Sequence, residues 1–142
     1  MMKSEAREWI DKGEGDFGTA EREFRVRKSP NLDAVCFHAQ QAAEKYLKAV
    51  LASQGARIPK THDLETLLGL CLKKFPLWEA LRPEAQLLTQ FAVGFRYPGE
   101  AADRESAKKA RDALRRFRAQ IRESLELVAE VGLPAKARRR EA

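Results

Sequence analysis

The sequence predicts an all-α protein, an antiparallel bundle of about five helices, of which the second and the fifth are expected to be the longest. Apolar residues recur at helical spacings of three and four along nearly the whole chain, and no segment alternates between apolar and polar residues as a half-buried strand does. Capping residues and Gly or Pro breakers separate the periodic segments. A chain of 142 residues is long enough for a single core of about four or five helices.

The first helix is predicted to begin at Ser4 and to end at the Ser-Pro-Asn break of residues 29–31. Gly13, Gly15 and Gly18 inside it each cost about 1 kcal/mol relative to alanine. We therefore expect close helix packing or local looseness around them. The predicted apolar face of this helix consists of Ala6, Trp9, Phe17, Ala20 and Phe24.

The second helix ends at Gln54-Gly55, and Ile58-Pro59 enforces an extended connection after it. More than half of its circumference is apolar, which is typical of a helix inside a bundle. Its apolar arc consists of Val35, Ala39, Ala42, Ala43, Tyr46, Ala49 and Val50. Its polar stripe consists of His38, Gln41, Glu44, Lys45 and Lys48. Such a stripe faces either water or a shared polar pocket.

Two shorter helices follow. The third is predicted to begin at a cap formed by Thr61 or Asp63 and to close at Phe75-Pro76. The fourth has Pro83 in its first turn and ends before a turn at residues 97–99. The inward-facing positions of the two helices are Leu64, Leu67, Leu68 and Cys71, then Leu87, Leu88, Phe91 and Phe95.

The fifth helix is predicted to start at an Asp103 cap and to end at Gly132. Its narrow apolar seam consists of Ala107, Ala110, Leu114, Phe117, Ile121, Leu125 and Val128. Because no repeat or linker interrupts the pattern, residues 1–132 are predicted to form one helical domain. Residues 133–142 are expected to be a disordered basic tail.

Positive charge is concentrated in the fifth helix and the tail. Residues 1–103 contain 15 Lys or Arg and 15 Asp or Glu, whereas residues 104–142 contain 12 and 6, so the whole formal excess of +6 lies there. A basic stripe recurs at helical spacing: Lys108, Arg111, Arg115, Arg118 and Arg122. The stripe is either a track for RNA phosphates or a solvated face paired with acidic residues or an acidic partner.

Composition excludes several classes of protein. The charged N-terminus lacks the apolar segment of a secretory signal, and no window is apolar enough for a membrane span, so we expect a cytoplasmic protein without membrane contact. Cys36 and Cys71 lie in apolar helical contexts and are predicted to be buried free thiols. Two histidines and two cysteines make a structural metal site improbable. No cofactor motif is present, so no cofactor is expected.

Three segments, in this order, resemble the HEPN family (higher eukaryotes and prokaryotes nucleotide-binding). They are FHAQQAAEKYLKA at residues 37–49, PKTHDL at 59–64 and RYPGE at 96–100, and the resemblance spans roughly residues 5–130. It implies a small antiparallel bundle, usually a homodimer, that binds nucleotides or RNA. Many such proteins act with a minimal nucleotidyltransferase, often as a toxin–antitoxin pair. The seven aromatic residues that suggest a dimer surface are Trp9, Phe17, Phe24, Tyr46, Trp78, Phe91 and Phe117.

Some HEPN proteins are metal-independent ribonucleases that use an Arg and a His on one late helix. Here no histidine follows Arg96, because the only two are His38 and His62. Arg57 and His62 match the spacing, but they lie on a connection broken by Pro59. An active ribonuclease is therefore the secondary hypothesis, and whether the protein is an enzyme is left open.

The predicted site is a polar cleft for a nucleotide or RNA. Its candidate residues are Gln41, Glu44, Lys48, Lys60, His62, Arg96 and Tyr97. Asp16, at the edge of the first helix's aromatic face, is expected to pair with Arg or Lys or to join the same cleft. Each candidate has a structural alternative: a helical Glu44–Lys48 pair, capping at residues 61–63, or an arginine that ties down its turn. A third hypothesis is a scaffold that serves only association.

Overall fold

The structure, a computed structural model, describes residues 4–95 and 97–132, with 126–132 described by their backbone alone. Over these residues it contains helices and no strand, which confirms the predicted fold class. The elements are α1 (Ser4–Arg25), α2 (Leu32–Ser53), α3 (Leu64–Cys71), a 3₁₀ helix (Pro76–Leu81), α4 (Arg82–Gly94) and α5 (Arg104–Gly132). No helix within the described residues is long and apolar enough to cross a membrane.

α2 is the central helix of the bundle and packs against α1, α3, α4 and α5. All seven residues of its predicted apolar arc are fully buried, and so are the four predicted inward residues of α3. The predicted seam of α5 is buried from Ala107 to Leu125, while the side chain of Val128 lies outside the described residues. Of the four predicted inward residues of α4, only Leu88 is fully buried, and the other three pack against the core while partly exposed. Burial of these apolar faces is the main stabilising contribution to the fold.

Capping side chains begin three helices, and those of α3 and α5 are among the caps that the sequence predicts. The Asn31 amide oxygen accepts a hydrogen bond from the Ala34 backbone N–H at 3.0 Å. Asp63, and not Thr61, caps α3, and Asp103 accepts from the Ser106 backbone N–H at 2.7 Å before α5. These caps satisfy backbone donors that have no partner inside the helix.

The connection between α3 and α4 departs from the expectation. α3 ends at Cys71, and the 3₁₀ helix beyond Phe75 is absent from the prediction. Trp78 and Leu81 of this short helix are buried in the core, and the Trp78 ring stacks on Phe75. Helix lengths also differ from the prediction that the second and fifth are longest, because α1 and α2 each have 22 residues and α5 has 29.

The close packing expected around the glycines of α1 occurs at Gly13. A Cβ atom at this position would lie 2.8 Å from Cε1 and 2.9 Å from Cδ1 of the buried Tyr46 ring. α1 and α2 therefore approach closely at this point. At Gly15, by contrast, no atom beyond the adjacent residues and the backbone of α1 itself lies within 4 Å of the equivalent position among the described residues.

Candidate functional site

A buried carboxylate, Glu44, organises the polar side of α2. Its oxygens accept hydrogen bonds from Gln40 Nε2 at 3.1 Å and from Lys48 Nζ at 2.9 Å. His62 Nδ1, from the connection before α3, lies 3.1 and 3.2 Å from the two oxygens. Gln40 Nε2 also donates to the backbone carbonyl of His62 at 3.1 Å. Both the ring and the backbone of His62 are therefore bound to α2. This constellation is called the Glu44 cluster below.

Glu44 carries its charge although it is buried. Burial raises the pKa of a carboxyl group, but the hydrogen bonds from Lys48, Gln40 and His62 outweigh burial and hold the pKa of Glu44 below its ordinary value of 4.5. The Lys48 ammonium lies 5.4 Å from the centre of the Trp9 ring, and only 9% of its side chain is exposed. Lys48 therefore stabilises the Glu44 charge from a position that is shielded from solvent.

His62 is the exposed member of the Glu44 cluster, with 84% of its side chain accessible. A carboxylate can only accept, so Nδ1 donates to Glu44, and a neutral imidazole then presents Nε2 to solvent as an acceptor. The adjacent N-terminus of α3 already has its cap. Asp63 accepts from the Glu65 backbone N–H at 3.2 Å and from Thr66 Oγ1 at 2.9 Å. The structure thus shows the capping alternative at residues 61–63, and the Asp63 carboxylate disfavours a phosphate at this helix end.

A second carboxylate lies farther along the α1–α2 interface. Asp16 accepts from Lys45 Nζ at 2.5 Å and lies 2.7 Å from His38 Nδ1. The Asp16 side chain is 12% exposed and the His38 side chain 29%. The expected pairing of Asp16 with a basic side chain is therefore present.

Both imidazoles border a groove between α2 and α4. One cavity of about 390 Å³ is bordered by Gln40, Gln41 and His62 on one side and by Thr89 and Val93 of α4 on the other. A neighbouring cavity of about 440 Å³ is bordered by His38, Asp33, Phe91 and Phe95. Phe37 and Ala92 border both cavities, and Phe37 is 48% exposed. We call the two cavities together the α2–α4 groove.

The structure brings together four of the seven predicted site residues. Glu44, Lys48 and His62 are in direct contact. Gln41 joins them through Gln40, because Gln41 Nε2 donates to Gln40 Oε1 at 2.8 Å. These four candidates therefore belong to one hydrogen-bonded network on the polar side of α2.

Two further candidates, Lys60 and Tyr97, make no recorded contact with this network. Lys60 is exposed on the connection before α3. Tyr97 is 63% exposed after α4. Arg96 lies outside the described residues.

Gln40 and Phe37 are the site residues that sequence reasoning missed. Gln40 lies beside the polar stripe of α2, but its position at the edge of the apolar arc concealed its contact with Glu44. Phe37 precedes His38 in the FHAQQ segment and is an aromatic residue on the polar side of the helix. The position of Phe37 outside the apolar arc could have indicated its role, because an aromatic side chain there either is exposed or lines a site.

The basic stripe of α5 is paired with carboxylates throughout. Arg115 makes two hydrogen bonds of 2.7 Å with Glu21 of α1, and Arg118 and Arg122 both bind Glu14. Lys108 and Arg111 bind Asp112. The hydrogen bonds from Arg115 outweigh burial and hold the pKa of Glu21 below its ordinary value. This pattern favours the paired-face alternative over a phosphate track.

Aromatic residues of α1 also contact the arginine side chains of α5. The guanidinium groups of Arg104 and Arg111 lie 4.2 and 4.3 Å from the centre of the Phe24 ring. Arg118 lies 4.1 Å from the Phe17 ring. Cation–π contacts and ion pairs therefore join α5 to α1. Apart from Lys108, which pairs with Asp112 of its own helix, the cations of the basic stripe thus help to hold these two helices together.

The thiols offer no reactive group. Cys36 and Cys71 are buried and free, as predicted, and burial raises the pKa of each thiol to about 12. Among the described residues no group of three or more His, Cys, Asp or Glu is arranged to hold a metal ion.

Comparison with known proteins gives the family. The HEPN domain model matches residues 6–124. The chain belongs to the HEPN family. Among solved structures, this HEPN protein is similar to the crystal structure of TT1696 from Thermus thermophilus, with a TM-score of 0.75 and 26% sequence identity over 85% of this chain and 98% of that one. No curated protein sequence matches it significantly. Membership makes it a helical module of a nucleotide- and RNA-related family.

Proposed function

We propose that this HEPN protein binds nucleotides or RNA in the α2–α4 groove and acts with a minimal nucleotidyltransferase partner in a toxin–antitoxin system. One observation carries the proposal. An exposed imidazole, His62, is fixed at the border of a groove by a buried and fully hydrogen-bonded carboxylate, Glu44. Placing a charge inside a helical core is costly, and this charge positions one accessible side chain. Family membership supports the partner, the homodimer and the toxin–antitoxin setting.

The groove offers what a nucleobase requires. Phe37 supplies an exposed aromatic face for stacking, which is worth about 1–3 kcal/mol per base in single-stranded complexes. His62 Nε2 and the side-chain amide of Gln41 supply an acceptor and polar atoms on the same border. Lys48 contacts Glu44 and is not among the residues that border the groove, so its proposed role is to hold Glu44 in place. Three further candidates rest on the sequence alone. They are Lys60 and Arg96 for the phosphate and Tyr97 for a second stacking contact.

The Glu44–His62 pair also favours a second function, metal-independent cleavage of RNA. An imidazole whose Nδ1 is bound to a carboxylate and whose Nε2 faces solvent has the geometry of a general base. In this reaction Nε2 would take the proton of a ribose 2′-hydroxyl, whose oxygen then attacks the adjacent phosphorus. The P–O5′ bond breaks, and the 5′-oxygen leaves as a hydroxyl group after it takes a proton from the imidazolium or from water. Products ending in a 2′,3′-cyclic phosphate, formed by wild type and not by His62→Ala, would establish this function.

Binding in the groove is tested with a short fluorescein-labelled single-stranded RNA and the His62→Ala variant. We expect the affinity to fall by about 5- to 30-fold, which corresponds to about 1–2 kcal/mol for a lost hydrogen bond and contact. The fold should persist, because Lys48 and Gln40 continue to satisfy Glu44. Fluorescence anisotropy gives the affinity, and thermal unfolding checks the fold.

The matched control is Gln120→Ala, at a partly exposed, uncharged position of α5 outside the residues that border the groove. Its affinity should equal that of the wild type within a factor of two. Equal loss in both variants, or no loss in His62→Ala, contradicts the proposed site.

A further inference from the structure

The second histidine site of the chain repeats the arrangement of the first. His38 Nδ1 lies 2.7 Å from Asp16 Oδ1, and the other Asp16 oxygen accepts from Lys45. Because the carboxylate accepts from Nδ1, the neutral ring keeps Nε2 as an acceptor. Both histidines of the chain are therefore held in the same tautomer by a carboxylate, His38 by one from α1 and His62 by one from α2.

The cavity beside His38 has aromatic walls and acceptor groups. Phe91 of α4 and Phe95, directly after this helix, line the cavity, and their ring centres are 5.6 Å apart. Phe37 also lines the cavity. Its ring meets the His38 ring edge to face, with the ring centres 5.2 Å apart. Asp33 also lines the cavity. One of its oxygens accepts from the Ala102 backbone N–H at 2.7 Å, and its second oxygen is a further acceptor.

These walls specify the ligand. A flat ring can stack on the phenylalanine faces. The polar residues that border the cavity are Asn31, Asp33 and His38, and the acceptor atoms of Asp33 and His38 suit a ligand edge that carries N–H donors. The Asp33 carboxylate repels a phosphate, so the part of the ligand that enters is its base. A volume of about 440 Å³ falls within the usual range for small-molecule sites.

We propose that this cavity is a second nucleobase subsite, so that the α2–α4 groove takes two consecutive bases of a single strand, one on each side of Phe37. The two cavities share Phe37 and Ala92, which makes them neighbours along one groove. The inference rests on the proposed function of the groove and deepens it, because it makes the ligand a single-stranded nucleic acid, with a mononucleotide filling only one half.

The experiment uses the imidazole ¹⁵N and ¹H resonances of the full chain. Only two histidines are present, so His38→Gln and His62→Gln assign every signal. The dinucleoside monophosphate ApA is titrated into the protein, and AMP is titrated into a parallel sample. We expect ApA to shift the Nε2 signals of both histidines, and to bind at least about tenfold more tightly than AMP, which is the gain of one stacked base.

Each outcome separates this inference from the proposed function. Shifts at His62 alone overturn the second subsite and leave the proposed function intact. Shifts at His38 alone support the base subsite and contradict the site at His62. No shift at either histidine overturns both. Phe37→Ala provides a second readout: it should bring the ApA affinity to within about threefold of the AMP affinity, because the shared stacking face is lost, and an unchanged ratio also overturns the inference.

Discussion

At the scale of single residues, Glu44 is the side chain on which the site depends. A buried carboxylate without partners would be protonated or would destabilise the fold, because a low-dielectric environment disfavours charge. Here Gln40, Lys48 and His62 all contact it. The same contacts that keep the charge inside the bundle also fix the orientation of the exposed imidazole. Stability and site geometry are therefore coupled at this position.

This coupling predicts a dependence of stability on pH. The pKa of Glu44 is below 4.5 in the folded protein, so its charge stabilises the fold above about pH 4.5, and this contribution is lost as the pH falls through the folded-state pKa. Glu44→Gln should be less stable than wild type at pH 7 by about 1–3 kcal/mol, because Lys48 then loses its buried partner. The difference should shrink as the pH falls below 4.5.

Urea unfolding of both proteins between about pH 7 and pH 3 measures this difference. Glu21, Asp103 and Asp112 also have lowered pKa values, but they are present in both proteins and cancel in the comparison. A difference in unfolding free energy that stays constant over this range would show that the charge of Glu44 contributes nothing, and that only its packing matters.

At the scale of elements, the close approach of α1 and α2 depends on Gly13. Gly13→Ala gains about 1 kcal/mol of helix propensity. The substitution also places a Cβ atom 2.8 Å from the Tyr46 ring, which is fully buried among close-packed neighbours. We expect overpacking to prevail, with a net destabilisation of about 1–2 kcal/mol measured by thermal or urea unfolding.

Gly15→Ala is the matched control on the same helix. Outside the adjacent residues and the backbone of α1 itself, no described atom lies within 4 Å of the added methyl group. The substitution should therefore stabilise the protein by about 0.5–1 kcal/mol. The two substitutions in one helix are therefore expected to change the free energy of unfolding in opposite directions. Stabilisation at both positions would show that the interface between α1 and α2 adjusts freely around Tyr46.

The contacts between α5 and α1 show which part of the structure could not be predicted from the sequence. The spacing of the basic stripe is visible in the sequence because helix neighbours lie three and four residues apart. Its partners Glu14 and Glu21 lie 94 to 108 positions earlier in the chain, and only the packing of α1 against α5 brings them within reach. The pairing of His38 with Asp16 has the same origin. Long-range polar partners are therefore the part of the site that periodicity cannot supply.

At the scale of the whole molecule, most of the fold is predictable from local patterns. The apolar arc of α2, the caps at Asp63 and Asp103 and the breakers between helices agree with one another, and such agreement is what specifies a bundle. The 3₁₀ helix escapes prediction because its six residues give too little periodicity.

Most of the aromatic residues that suggested a dimer surface belong to the core. Of the seven aromatic residues that suggested it, Phe24, Tyr46, Trp78 and Phe117 are buried within the chain itself. The surplus of aromatic residues is therefore no argument for a dimer. Leu70 and Leu77 are among the large apolar side chains that remain exposed on the described surface.

If RNA binds in the α2–α4 groove as proposed, formal charge is a poor guide to its binding site. The excess of +6 lies in α5 and the tail, but the stripe residues of α5 are bound to carboxylates and aromatic rings of their own chain. The α2–α4 groove is bordered by aromatic and polar groups and by the carboxylates of Asp33 and Asp63, and no Lys or Arg is among its described lining residues. The central claim is that RNA enters this groove and does not follow the stripe.

The salt dependence of RNA affinity tests this claim most directly. The dissociation constant of a labelled single-stranded RNA is measured from about 50 to 300 mM salt, and its logarithm is plotted against the logarithm of the salt concentration. Each phosphate neutralised contributes about 0.7 to the slope for a single strand. Binding in the groove through stacking and hydrogen bonds predicts a slope of about 1 or less. A slope of about 3 to 4, as expected if all the cations of the stripe contact phosphates, would contradict the account.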